Sequence, residues 1–132
     1  MKRLALALGC LMLMAMPAMA ITEFNKQWKA EFLGEDASAE FKRAAKKAGC
    51  NVCHVKGKKK KDKDSRNEYG RAINEFLKAK DFPKDYVKAN PEEAKQKILE
   101  GFKKAGEKKS KDEKVFGEKI KNGELPATDA KI

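Results

Sequence analysis

Residues 50 to 54 read Cys-Asn-Val-Cys-His, and no other stretch of this 132-residue chain constrains its fold so tightly. Two thiols three positions apart, with an imidazole one helical turn beyond the first, can all reach one face of a single backbone turn. The cysteine count isolates that turn. The chain has three cysteines, and Cys10 lies in an N-terminal stretch with the marks of an export signal. Met1-Lys2-Arg3 is a short positive region, Leu4 to Met16 is an uncharged apolar run, and Ala18-Met19-Ala20 is a small-x-small cleavage site. Cleavage after Ala20 leaves two cysteines and one histidine, all three in the pentapeptide. A lipoprotein cut before Cys10 is the weaker alternative, because it leaves a stub of apolar residues and wastes the better site. The leader is too short for a settled membrane span, and no later stretch is apolar enough for one. Residues 1–20 are therefore expected to be a signal peptide, and residues 21–132 one domain.

The pattern C-x-x-C-H is the attachment sequence for a c-type haem. Each thiol can add across one haem vinyl group, and the histidine can reach the iron from the same side. On Cys50, Cys53 and His54 the chain resembles the c-type cytochromes. The resemblance implies one covalent haem c, with two thioether links and His54 as axial iron ligand. Other uses of these side chains fare worse. A redox-active C-x-x-C normally accompanies a βαβ pattern, and no strand pattern is present. A structural zinc site needs four ligands, and the exported chain offers three.

Charge and apolar content point the same way. Without Lys2 and Arg3 the 31 basic residues become 29, set against 20 acidic ones, a net of about +9. Two haem propionates would lower that by about two. Leu, Ile, Val and Phe number 20 of the 112 residues after Ala20. That falls below the one-in-five level at which a chain struggles to form a core, and a buried porphyrin would supply the missing apolar surface.

Along the chain, Phe24, Trp28 and Phe32 recur every fourth residue and predict a short helix ending at Gly34. Their stripe is expected to be ordinary core, with a wall beside the haem as the alternative. A second helix, from about Asp36, carries Ala37, Phe41, Ala44, Ala45 and Ala48 on one face. A helix running into C-x-x-C-H also resembles the class I cytochromes c, and Gly49 frees the backbone at the point of delivery. The run after His54 has six lysines in eight residues from Lys56 to Lys63 and is expected to be an exposed loop. It is either a solvated charge run or a docking patch for an acidic redox partner. Nucleic acid is disfavoured, since no aromatic residue interleaves the lysines.

Ser65 to Glu68 reads as a capping box, with Ser65 as N-cap, before a helix carrying Tyr69, Ala72, Ile73, Phe76 and Leu77. Arg66, Tyr69 and Arg71 are the polar residues placed to meet a haem, the arginines as partners for propionates. Asp81-Phe82-Pro83 breaks that helix, and Lys84 to Lys88 forms a short piece. Asn90-Pro91-Glu92-Glu93 starts another, with Asn90 capping, and Ala94, Ile98, Phe102 and Ala105 line its face up to Gly106. Ser110 to Glu113 reads as a further capping box, opening a last helix that stops at Asn122-Gly123. The tail after Pro126 is expected to be loose. The fold class is all-α, a small bundle of about five helices around one covalently bound haem c.

Class I cytochromes usually take a methionine as the second axial ligand. All five methionines lie within the first 19 residues, and there is no second histidine. The sixth position therefore stays open between a vacant or water-filled site, a lysine amine, the phenolate of Tyr69 or Tyr86, and a partner's ligand. The resemblance implies extracytoplasmic, periplasmic electron transfer without catalysis. Binding of NO or CO at an open iron position is the alternative. A peroxidase is disfavoured because no second histidine can act as distal acid–base.

Overall fold

A computed structural model describes residues 18–59 and 64–132, with side chains from Ile21 onward. Of the expected export signal, everything before Ala18, including Cys10, lies outside the described residues, as do Lys60 to Lys63 of the lysine run. Six α-helices account for most of what is described: α1 Ala18–Phe32, α2 Ala39–Ala48, α3 Glu68–Phe76, α4 Lys84–Ala89, α5 Pro91–Gly106 and α6 Phe116–Lys121. Among the described residues there is no strand, and the fold is the expected small all-α bundle.

α5 is the hub, packing against α1, α3, α4 and α6. Its predicted face of Ala94, Ile98, Phe102 and Ala105 is buried throughout. Sequestering an Ile or Phe side chain of this kind contributes roughly 1.5–3 kcal/mol each. Across from it, the Phe24–Trp28–Phe32 stripe of α1 makes a chain of ring contacts. Phe24 meets Phe82 edge-on at 5.2 Å, Trp28 meets Phe32 at 5.2 Å, and Phe32 reaches Phe102 at 6.2 Å.

α2 begins later than its apolar spacing suggests, because Ser38 accepts the Phe41 N–H and sets the N-cap. At its far end Gly49 adopts φ +54°, which lets the chain leave α2 and enter the 3₁₀ turn Gly49–Val52 that carries the first half of the pentapeptide.

Three expected caps and the loose tail are corrected by the structure. The N-cap of α3 is Asn67 rather than Ser65, since the Asn67 side chain accepts the Gly70 N–H while Ser65 is buried beside His54. Asn90 precedes α5, but its side chain donates to the Tyr86 carbonyl in the last turn of α4 and makes no cap bond to α5. Ser110 opens a turn in which its N–H bonds Lys114 O, and α6 starts only at Phe116. The C-terminal segment is packed rather than loose, with Pro126 and Ala130 buried.

Two acidic residues account for that packing. The Glu68 carboxylate accepts from Ser110 Oγ, Lys111 N and Thr128 N, each at 2.7 Å, and from Thr128 Oγ1 at 2.8 Å. Asp129 Oδ1 in return accepts the Glu68 backbone N–H at 2.8 Å, taking one of the orphan donors at the start of α3. The tail is thereby pinned to α3, and the Ala130 carbonyl reaches the Lys56 N–H just beyond His54.

Candidate functional site

The pentapeptide folds as one tight turn. Cys53 N and His54 N both donate to the Cys50 carbonyl, at 3.3 and 3.0 Å, so the two thiols and the imidazole leave the same turn. Asn67 then cross-braces it. Its Nδ2 donates to Val52 O at 2.9 Å and Asn51 O at 3.0 Å, with His54 O at 3.4 Å, and its backbone N–H donates to Cys53 O. The same side chain caps α3, so one fully buried amide ties the turn to the helix behind it. Gly70 completes that contact. A side chain there would collide with the Cys53 carbonyl oxygen, so only glycine lets α3 approach this closely.

The Ser65 carbonyl orients His54. Its oxygen lies 3.0 Å from Nδ1 and can only accept, so Nδ1 is the donor. A carbonyl at Nδ1 orients the ring of a histidine that binds a metal through its other nitrogen in the same way. Cys50 is exposed and Cys53 half-buried, both as free thiols. Burial, with the neighbouring Cys50, pushes the Cys53 thiol up to about 12, so it stays protonated at neutral pH.

The turn forms one wall of a cleft of about 200 Å³. Cys50, Cys53 and His54 all line it. The facing walls are stripes of α1 (Ile21, Phe24, Trp28) and of α3 (Ile73, Leu77), with Phe102 of α5 also lining it. The stripe is core as expected for Trp28, which is buried and also lines the cleft. Polar side chains on the lining are few: Asn25 and Lys29 from α1, Arg66 beside His54, and Asn74 from α3.

The other sequence-nominated residues are sorted by this geometry. Arg66 lines the cleft. Arg71 does not, because its guanidinium bonds Asp129 and the Arg66 carbonyl. Tyr69 is fully buried and accepts the Trp28 indole N–H at 3.0 Å, outside the lining. Burial raises its phenol far above the ordinary value and keeps it neutral. Tyr86 is away from the cleft too, its hydroxyl held between Glu93 and Lys97. Of the lysine run, Lys56, Lys58 and Lys59 are exposed. Among the described residues, no cluster of three or more His, Cys, Asp or Glu forms a metal site.

Sequence reasoning missed Asn67, Lys29, Asn25 and Asn74. A signal for Asn67 was present, since Asn ranks with Ser among N-caps and stands immediately before Glu68. The donor set fits a covalent haem: two thiols and an imidazole oriented through Nδ1 line one wall of a mainly apolar cleft. No known protein family matches the chain, and neither a characterised protein nor a solved structure is significantly similar to it.

Proposed function

We propose that this chain is a monohaem c-type cytochrome of an extracytoplasmic, periplasmic compartment, carrying single electrons to or from an acidic redox partner. One observation carries the reading: Cys50, Cys53 and His54 line a single, mainly apolar cleft, and the Ser65 carbonyl holds His54 through Nδ1, as suits a histidine that binds a metal through its other nitrogen. In this reading Cys50 and Cys53 hold the haem through thioethers, and His54 is the axial ligand. The haem supplies a one-electron iron couple. The protein's own groups do the rest: the α1 and α3 stripes exclude water, and Asn67 and Gly70 hold the tethering turn against α3. The exposed lysines that follow His54 in the chain would offer positive charge to an acidic partner. No group in this scheme performs catalysis.

A second reading, binding of NO or CO at an open iron position, is favoured by a specific observation. Neither phenol lines the cleft, and the chain after Ala20 has no methionine or second histidine. Intact-mass analysis of material exported by a bacterium with haem-attachment machinery tests the common core of both. The expected product starts at Ile21 and carries one haem; bare thiols would sink both readings. Adding CO to the reduced protein then separates them. An unchanged Soret band leaves electron transfer, and a rapid shift favours gas binding.

A further inference from the structure

The polar groups of the cleft have an unusual charge balance. Twenty residues of the chain are acidic, yet none of the nineteen cleft-lining residues is a carboxylate. Two are cations, Lys29 and Arg66. They come from different elements, Lys29 near the end of α1 and Arg66 just before α3. Those ends are held together, because Trp28, next to Lys29, donates to Tyr69, three residues past Arg66. Both cations are exposed, and neither side chain makes an ion pair with a carboxylate among the described residues. Arg71, by contrast, is neutralised by Asp129. The cleft thus has an apolar floor and a two-cation rim with no carboxylate partner among the described residues, which is complementary to a flat apolar ligand ending in two anionic groups.

We infer that Lys29 and Arg66 form a clamp for the two haem propionates, fixing how far the macrocycle enters the cleft and raising its reduction potential. The inference rests on the haem reading above. Each cation lowers the propionate pKa, and each favours the electron-rich reduced state, because a nearby positive charge stabilises added negative charge.

The test uses haem-loaded protein carrying K29Q, R66Q, both together, or K95Q as a control on the exposed face of α5, away from the cleft. K29Q and R66Q are each expected to lower the equilibrium constant for reduction by about threefold more than K95Q does, and the double variant by more than either. In both, the pH at which propionate ionisation alters the potential should move upward, and K29R should restore the native profile. Potentials and pH profiles that match K95Q overturn the clamp while leaving haem attachment intact. A change of spin state in K29Q also overturns it, by making Lys29 an iron ligand instead. Intact mass of the same samples reports haem attachment separately, so failure of the haem reading is recognised as such.

Discussion

Asn67 shows how much one side chain can decide. Its amide satisfies carbonyls of the C-x-x-C-H turn on one side and caps α3 on the other, and it is wholly buried. Removing it takes the amide partner from the buried Val52 carbonyl, from the part-buried Asn51 carbonyl and from the helix N–H of Gly70. Each such buried group costs about 1–3 kcal/mol, and a lost N-cap about 1 kcal/mol. N67A should therefore destabilise the folded protein by roughly 3 kcal/mol, measured as a loss in the denaturation midpoint at unchanged slope. N67D tests the donor half alone. Aspartate keeps the cap to Gly70 but cannot donate to Val52 or Asn51, so a native-like stability for N67D would contradict the bracing role. Sequence reasoning placed the cap two residues early because Ser65 and Glu68 also fit a capping box. Two residues with equal cap preference cannot be ranked from local spacing when the deciding bonds run to residues 51 and 52, distant in the chain.

At the scale of elements, what was legible followed from periodicity. The stripe on α1, the face of α5 and the delivery of α2 into the motif are all set by local apolar spacing, and the structure keeps them. The tail was not legible, because its order depends on Glu68, a residue sixty positions away whose helical spacing says only that it begins α3. A charged residue read as a cap partner is instead a buried acceptor for four donors. Burial works against its ionisation, but the bonds from Thr128, Ser110 and Lys111 outweigh that and hold the Glu68 carboxyl below its ordinary value of 4.5. Asp129 is lowered too, with burial opposed by the Glu68 N–H and the Arg71 contact. A carboxylate with a depressed folded-state pKa stabilises the fold fully above its unfolded value and loses that contribution as pH falls through the folded one. The tail staple should therefore be intact at neutral pH and weaken below about pH 4.5. E68Q removes the Glu68 share of this dependence, leaving that of Asp129, by replacing the carboxylate with an amide that has one acceptor oxygen and two unpartnered donors. The expected cost at pH 7 is on the order of 2 kcal/mol, with faster amide exchange over residues 126–130. An E68Q protein whose tail exchanges as slowly as the parent's, or whose acid sensitivity is unchanged, would place the staple elsewhere.

For the whole molecule, low apolar content and high net charge both work against a compact fold. Only 20 of the 112 residues after Ala20 are Leu, Ile, Val or Phe, and the same segment carries a net charge of about +9. Self-repulsion of that size opposes compaction, and a domain of this length buries a smaller share of its surface than a larger one. The cleft compounds the deficit, because Trp28, Phe24, Ile73 and Leu77 turn part of their surface toward it rather than toward one another. Under the proposed haem reading, a flat apolar group covalently fixed at Cys50 and Cys53 would remove that surface from water and, with its two propionates, cancel part of the charge. Because it would be tethered, its contribution would not depend on free ligand concentration in the way that reversible binding does. Haem-loaded protein should therefore unfold cooperatively on heating, whereas C50A/C53A protein without haem should show a broad transition at neutral pH and low salt. Adding salt screens the repulsion but leaves the cleft unfilled, so it should sharpen the transition only in part. Calorimetry of the two forms across ionic strength separates the causes. Full recovery by salt alone would assign the instability to charge, and a sharp transition in the haem-free protein at low salt would remove the cofactor from the account of stability.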